Sequence, residues 1–223
     1  MLEGRQIVLA GGTGGLGSAT AELLAAHGAR LIVSGKTRGD VTADLTRDSD
    51  RRRLLDAAPD LYGVVVFTGD PVRIAGVEEA MRRSFDVNFA GPILLAREAA
   101  ERMKAASTPG AIVLLATMQA GALFPNSTAY AAPKAALVHA ARILARECRG
   151  PANIRVNVVS PGVTEAGMAQ ASLAAGKYNR FLDEGIIPRF GRAFDVARAV
   201  RFFLEPDCYV TGQVLTVDGG LTL

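Results

Sequence analysis

The chain has 223 residues, 49% of them hydrophobic, with a net charge of +3; that length and content fit one large α/β domain with a core of its own. The small charge leaves no basic footprint for nucleic acid, and two cysteines, Cys148 and Cys208, make neither a disulfide framework nor a metal-ligand spacing. No apolar run approaches the ~20 residues of a membrane span, and the opening Met-Leu-Glu-Gly-Arg runs into a strand-like segment without the apolar core of a secretory signal, so a cytoplasmic protein with reduced thiols and no membrane partner is expected.

The first short β-branched run, residues 7–10, predicts a buried strand and leads into the glycine loop Gly11-Gly-Thr-Gly-Gly-Leu-Gly17. An Ala/Leu-rich helix follows over 18–27 and stops at Gly28, and a strand over 31–34 gives way to a charged turn. Arg51-Arg52-Arg53 reads as a solvated helix face. Strands are predicted over 63–68, 111–116, 154–159 and 213–217, and helices over 78–105, 129–149 and 194–205, the last two stopping at Gly150-Pro151 and Pro206. Strand and helix alternate in one register without linker or repeat. That pattern predicts a doubly wound, Rossmann-type α/β fold, with about seven parallel strands and a single domain over residues 1–223.

The glycine loop stands between a strand and a helix, the context a dinucleotide fingerprint requires. Glycine permits the tight turn, and the helix N-terminus offers N–H groups to a pyrophosphate. Two registers fit: Gly12, Gly14 and Gly17 as G-x-G-x-x-G, or Gly11, Gly15 and Gly17 as G-x-x-x-G-x-G. No Gly-Lys-Ser/Thr follows, which sets aside a P-loop nucleotidase. Further on, Tyr130 and Lys134 lie four apart on one helix face. A phenol, with a pKa near ~10, is poorly matched to proton transfer at neutral pH, and a neighbouring cation favours its phenolate. Pro133 is tolerable only near the first turn of that helix, with Ser127 or Thr128 as the N-cap. A nucleotide loop joined to a tuned phenol points to carbonyl or alcohol redox chemistry. His27 and His139 read as ordinary helix residues, and Met103, Met118 and Met168 as packing or pocket-lining side chains; no metal site is expected.

With the Tyr-Lys pair, the second glycine register resembles the short-chain dehydrogenase/reductase family, over essentially the whole chain. Gly11, Gly15 and Gly17 match its cofactor loop, which also contains Thr13 and Leu16. Asp44-Leu45 resembles the acidic dipeptide that holds the adenine. Asn88 matches the family's helix asparagine, and Tyr130 and Lys134 its catalytic pair. Pro161-Gly162, with Val163 and Thr164 after it, resembles the turn beside the nicotinamide, and residues 209–220 resemble the C-terminal strand and turn. The resemblance implies four roles: Tyr130 as acid or base, Lys134 lowering its pKa and holding the ribose, Thr117 bonding the substrate oxygen, and Asn88 seating a water. It also implies a homotetramer or homodimer through the two long helices, which carry Ala99-Ala100, Ala135-Ala136 and Ala140-Ala141, and through the C-terminal strand.

Three departures stand out. The family serine thirteen residues before the tyrosine is Thr117, which keeps the hydroxyl on a stiffer side chain. The family's Asn-Asn-Ala-Gly reads Val66-Phe67-Thr68-Gly69, so only Gly69 survives and an amide brace is lost. Segments 46–58 and 70–88 are short. At the end of the second strand, an acid would accept the ribose 2′-hydroxyl of NAD and repel a 2′-phosphate. Here Ser34-Gly35-Lys36-Thr37-Arg38 offers two cations, and Asp40 lies further along the loop, so NADP is expected over NAD. The expected reaction is hydride transfer between NADP(H) and a small carbonyl or alcohol. The alternative is a dinucleotide-binding sensor or scaffold with weak or no turnover.

Overall fold

The computed structural model describes every residue except Arg73 and Ala75. Seven strands form one parallel sheet: β1 (Gln6–Ala10), β2 (Arg30–Gly35), β3 (Val41–Thr42), β4 (Leu61–Val66), β5 (Gly110–Leu115), β6 (Ile154–Pro161) and β7 (Val214–Val217), in the spatial order β3-β2-β1-β4-β5-β6-β7. The helices are α1 (Gly15–Ala26), α2 (Asp48–Asp56), α3 (Val77–Phe85), α4 (Gly91–Ala105), α5 (Thr128–Glu147), α6 (Gln170–Ala174), α7 (Arg180–Asp183) and α8 (Ala193–Leu204).

Because successive strand side chains point to opposite faces, each strand feeds two cores. Val8, Val64, Ile112 and Val156 join Leu54 and Leu55 of α2, Leu95 and Ala99 of α4, and Leu137 and Ala141 of α5. Ile7, Leu9, Val65 and Val113 join Leu24 of α1 and Val196, Val200 and Phe203 of α8. The central strands are buried on both faces, which is why they read as continuous apolar runs rather than alternating ones. Ala99, Ala100 and Ala141 are at most 1% exposed. Those small residues let α4 and α5 approach the sheet of their own subunit, whereas Ala135, Ala136 and Ala140 are only partly buried.

Four local features differ from the sequence reading. The helix expected over 78–105 is interrupted by a π-helical segment, Asp86–Ala90, flanked by right-handed helical backbone on both sides. The extra residue per turn makes it a bulge rather than a break. Pro133 sits in the second turn of α5, not the first, where its ring removes the bond to the Ala129 carbonyl. Ser127 is the boundary residue, but its hydroxyl donates to the Phe124 carbonyl at 2.6 Å instead of capping α5. Arg51 is 5% exposed, not a solvated helix residue.

The C-terminus of α8 is sealed by side chains from distant strands. Its last carbonyls have no partner within the helix. Arg155 of β6 donates to the carbonyls of Phe203 at 2.6 Å and Glu205 at 2.9 Å, and the Tyr62 hydroxyl of β4 donates to that of Leu204 at 2.7 Å. The guanidinium also meets the negative end of the helix dipole.

Candidate active site

The strand order reverses between β1 and β4, and a crevice opens there at the carboxyl ends of the strands, where ligands bind in open α/β sheets. The glycine loop floors it. Gly11 has φ +80°, which favours glycine. A Cβ on Gly17 would stand 2.5 Å from the Gly12 Cα, and one on Gly15 would stand 2.8 Å from the Gly167 nitrogen. A Cβ on Gly14 would meet nothing closer than 3.5 Å. The steric demands therefore fall on Gly11, Gly12, Gly15 and Gly17 and spare Gly14, a Cβ on Gly12 lying 2.8 Å from the Leu9 Cβ. They leave a turn with no side chain between its backbone and the crevice, which fits a pyrophosphate at the α1 N-terminus. Leu16 packs on the α1–α8 core.

The end of β2 meets this loop. A Cβ on Gly35 would overlap Thr13 Oγ1, and Arg38 Nη2 donates to the Thr13 carbonyl at 3.1 Å. Lys36 is paired with Asp44 at 2.9 Å. Partial burial alone would raise the Asp44 carboxyl; hydrogen bonds from Lys36 and Thr46 outweigh it and hold the group at about 2. Asp40 turns back onto the sheet, where its Oδ2 accepts the Val33 N–H at 2.8 Å. Leu45 is buried beside Asp44 in the α2–α4–α5 core.

On the opposite wall, α5 lifts Tyr130 and Lys134 toward the ends of β4 and β5. Lys134 is 2% exposed and donates to the carbonyls of Thr68 at 3.0 Å and Leu115 at 2.8 Å. Its burial pulls the ammonium down to about 7. Tyr130 is half-buried, and loss of solvent pushes its phenol up to about 12. This reverses the expected lowering: in the free chain Lys134 is turned to backbone carbonyls, and desolvation governs the phenol. Gly69 gathers the rest. A Cβ there would lie 3.5 Å from Asn88 Oδ1, 3.6 Å from Lys134 Nζ and 3.6 Å from Met168 Cε.

The Asn88 amide is tied to the turn after β4 and to its own helix. Oδ1 accepts the Asp70 N–H at 3.0 Å, and Nδ2 donates to the Asp70 carbonyl and to Ser84 Oγ, both at 2.8 Å. Those bonds engage the side chain, which braces the turn after β4. Val66 and Phe67 enter opposite cores, so apolar packing and the Asn88 clamp stand where the family's amides would. Thr68 Oγ1 is buried without a partner among the described residues. Thr117 caps a short 3-10 turn, accepting the Gln119 N–H at 3.4 Å, and its own hydroxyl proton remains free to donate.

Beyond β6, a Cβ on Gly162 would lie 2.6 Å from the Asp218 Cβ, so Pro161-Gly162 is wedged against the C-terminal turn that Asp218 ties to Gly220 and Thr222. Thr164 bridges to Gly191 and bonds the Gly162 carbonyl, and Val163 packs with Met118, Phe181, Ile187 and Phe190. Tyr178 and Phe181 stack on each other and fill that cluster rather than lining a pocket. Met168 faces the nearby cavity of about 350 Å³, with Asp70, Pro71, Val72, Ile74 and Arg83. No group of His, Cys, Asp or Glu among the described residues could hold a metal, and no helix among them is long and apolar enough to cross a membrane.

A family model described as enoyl-(acyl carrier protein) reductase matches residues 43–222. An uncharacterized oxidoreductase of Methylorubrum extorquens is 34% identical, over 99% of this chain and 98% of its own. The chain belongs to the short-chain dehydrogenase/reductase family. A short-chain type dehydrogenase/reductase from Mycobacterium ulcerans superposes with a TM-score of 0.90 at 27% identity, over 99% of this chain and 90% of that one. The 3-ketoacyl-(acyl-carrier-protein) reductase from Brucella melitensis, solved with NADH, gives 0.87 at 26% identity, with full coverage of both chains.

Sequence reasoning missed the residues that hold the others. Asp50 and Arg51 grip the Asp44–Leu45 backbone, and Ser84 supports Asn88. Their signal was present only for Ser84, which stands one helical turn before Asn88; the α2 contacts cross elements and have no local pattern.

Proposed function

We propose that this short-chain dehydrogenase/reductase moves a hydride between NADP(H) and a carbonyl/alcohol pair, with Tyr130 transferring the proton. The observation that carries the reading is Lys134: a lysine 2% exposed, held only by two carbonyls, one helical turn from a tyrosine. An ammonium without a carboxylate is costly to bury, so an apolar residue would serve a purely structural position better.

The glycine turn, the α1 N-terminus, Asp44–Leu45, Gly69 and Pro161–Thr164 would hold the dinucleotide. When bound, its nicotinamide supplies or accepts the hydride. Tyr130, protonated at neutral pH, gives its proton to the substrate oxygen in reduction and removes it in oxidation. Lys134 holds the ribose, and its charge, when protonated, favours the phenolate that oxidation requires. Thr117 donates to the substrate oxygen. Asn88 fixes Asp70, and through it the Gly69 backbone beside Lys134. A carbonyl and alcohol panel read by nicotinamide absorbance tests the reading; no turnover with either cofactor would leave a binding protein.

Preference for NADP rests on Lys36 and Arg38. Arg38 is the better placed, since it already lies against the glycine loop, whereas Lys36 is shared with Asp44. Replacing both by alanine is expected to weaken NADPH at least about tenfold, since a hydrogen bond to a charged group contributes roughly 1.5–3 kcal/mol, and to leave NADH nearly unchanged. Titration of both cofactors checks this; equal losses would mean that neither residue reads the phosphate.

Assembly as a homotetramer or homodimer draws support from α4 and α5. The exposed large apolar residues on these helices are Leu94, 40% exposed, and Ile143, 48% exposed, and Ala135, Ala136 and Ala140 are partly buried. Sedimentation at micromolar concentration is expected to give a symmetric oligomer, and Leu94→Glu with Ile143→Glu to dissociate it. An oligomer that survives both changes would place the interface elsewhere.

A further inference from the structure

Two consecutive residues of α2 hold the backbone of the Asp44–Leu45 dipeptide. Asp50 Oδ2 accepts the Asp44 N–H at 2.9 Å, and Arg51 Nη1 donates to the Leu45 carbonyl at 2.9 Å. The Arg51 side chain is 7% exposed and reaches three elements at once. Its Nε meets Glu98 Oε1 of α4 at 2.9 Å, and Nη2 faces Asp48 Oδ1 at 3.5 Å.

A guanidinium facing a carboxylate commonly takes both oxygens with its planar fork. Here the fork is divided. Nη1 goes to a backbone carbonyl, and Glu98 Oε2 is left buried without a partner among the described residues. An ion pair whose only task was to join α2 to α4 would close both bonds. The arrangement found sacrifices one of them to fix Leu45. The first residue of α4 confines the same peptide from the other side: a Cβ on Gly91 would lie 3.0 Å from the Leu45 carbonyl carbon, oxygen and Cβ alike. With the backbone pinned, the Asp44 carboxylate is oriented in turn, by the Thr46 N–H and hydroxyl on Oδ1 and by Lys36 on Oδ2.

We propose that Arg51 is the positioning residue of the adenine pocket, holding the Leu45 peptide so that Asp44–Leu45 presents a fixed edge to the base. This rests on the reading of that dipeptide as the adenine contact. Arg51 touches no part of the cofactor itself. Its effect passes through one carbonyl, so it falls on the adenine half of the ligand and not on the nicotinamide half.

Calorimetric titration of the full chain with 5′-AMP, reduced nicotinamide mononucleotide and intact NADPH tests this. Arg51→Met is expected to weaken AMP and NADPH about tenfold, as for one lost charged hydrogen bond, and to leave the mononucleotide unchanged. Arg51→Lys keeps the charge but cannot span Glu98 and Leu45 together, so its loss is expected to lie between, and it carries the same comparison if Arg51→Met does not fold. Equal losses on both halves would reduce Arg51 to a structural residue, and unchanged AMP binding would remove its role altogether. Asp44→Asn separates the two levels. Undiminished AMP binding in that variant removes the adenine assignment and the proposal with it; a loss there, with none in the Arg51 variants, removes the proposal alone.

Discussion

Tyr130→Phe is expected to lower turnover by about a thousandfold, within the range of general acid–base catalysis, while NADPH affinity stays within about twofold of wild type. Phe keeps the ring and its packing and deletes only the group that exchanges a proton with the substrate. Burial holds the phenol at about 12, so at neutral pH it is a proton donor, the form that reduction needs. In oxidation the same residue must give up its proton, and the Lys134 charge assists only while that lysine is protonated. Single-turnover rates in both directions, with NADPH titration alongside, check the assignment. Full turnover in Tyr130→Phe would transfer the proton step to another group.

Lys134→Met is expected to damage rate and cofactor affinity together and to change the pH dependence of stability. The folded-state value of Lys134 is about 7 against 10.5 for the free side chain. Between those two values the unfolded chain holds a proton that the folded chain has released, so stability rises with pH, approaching about 1.4 kcal/mol per pH unit at the steepest. Tyr130 acts in the opposite sense and higher up. Its folded value of about 12 lies above the ordinary 10.0, so the unfolded phenol ionises first and stability falls from pH 10 toward 12. The window between pH 7 and 10 therefore belongs to Lys134 of this pair. Urea unfolding across that window should show the rise in wild type and a flatter profile in Lys134→Met. Parallel profiles would mean that burial does not lower the Lys134 ammonium in the folded chain.

The parts of this chain that could be read from sequence are those in which a local pattern and a physical demand coincide. The four central strands, β1, β4, β5 and β6, were legible because a parallel strand buried on both faces is a plain apolar run, and β2 and β7 because they are short β-branched runs. The glycine loop was legible because its turn and its packing exclude side chains at fixed spacing. The two-residue β3 was not, since Val41-Thr42 carries no periodicity. The π segment was invisible for a related reason: residues 86–90 are as helix-compatible as their neighbours, and the extra residue is fixed by where Asn88 must reach Asp70 and Ser84. Arg51 misled because it stands among three arginines, of which Arg52 and Arg53 do lie in solvent. What separates it from them is the angle of one helix relative to another. The expected lowering of Tyr130 failed on the same ground. Spacing put a cation within reach, but the carbonyls of Thr68 after β4 and Leu115 in β5 claimed it.

The sealed end of α8 constrains the order in which the chain can mature during synthesis. Arg155 and Tyr62 are made well before the carbonyls they serve. Until the ribosome has delivered residues 203–205, β6 cannot settle beside β5 without enclosing a guanidinium that has nothing to bind, a state several kcal/mol uphill. The nascent chain must therefore keep that strand solvated, and the sheet closes from the centre outward only after residues 203–205 have been made. Truncation just before residue 203 would leave an arrested, aggregation-prone sheet edge rather than a slightly weakened protein.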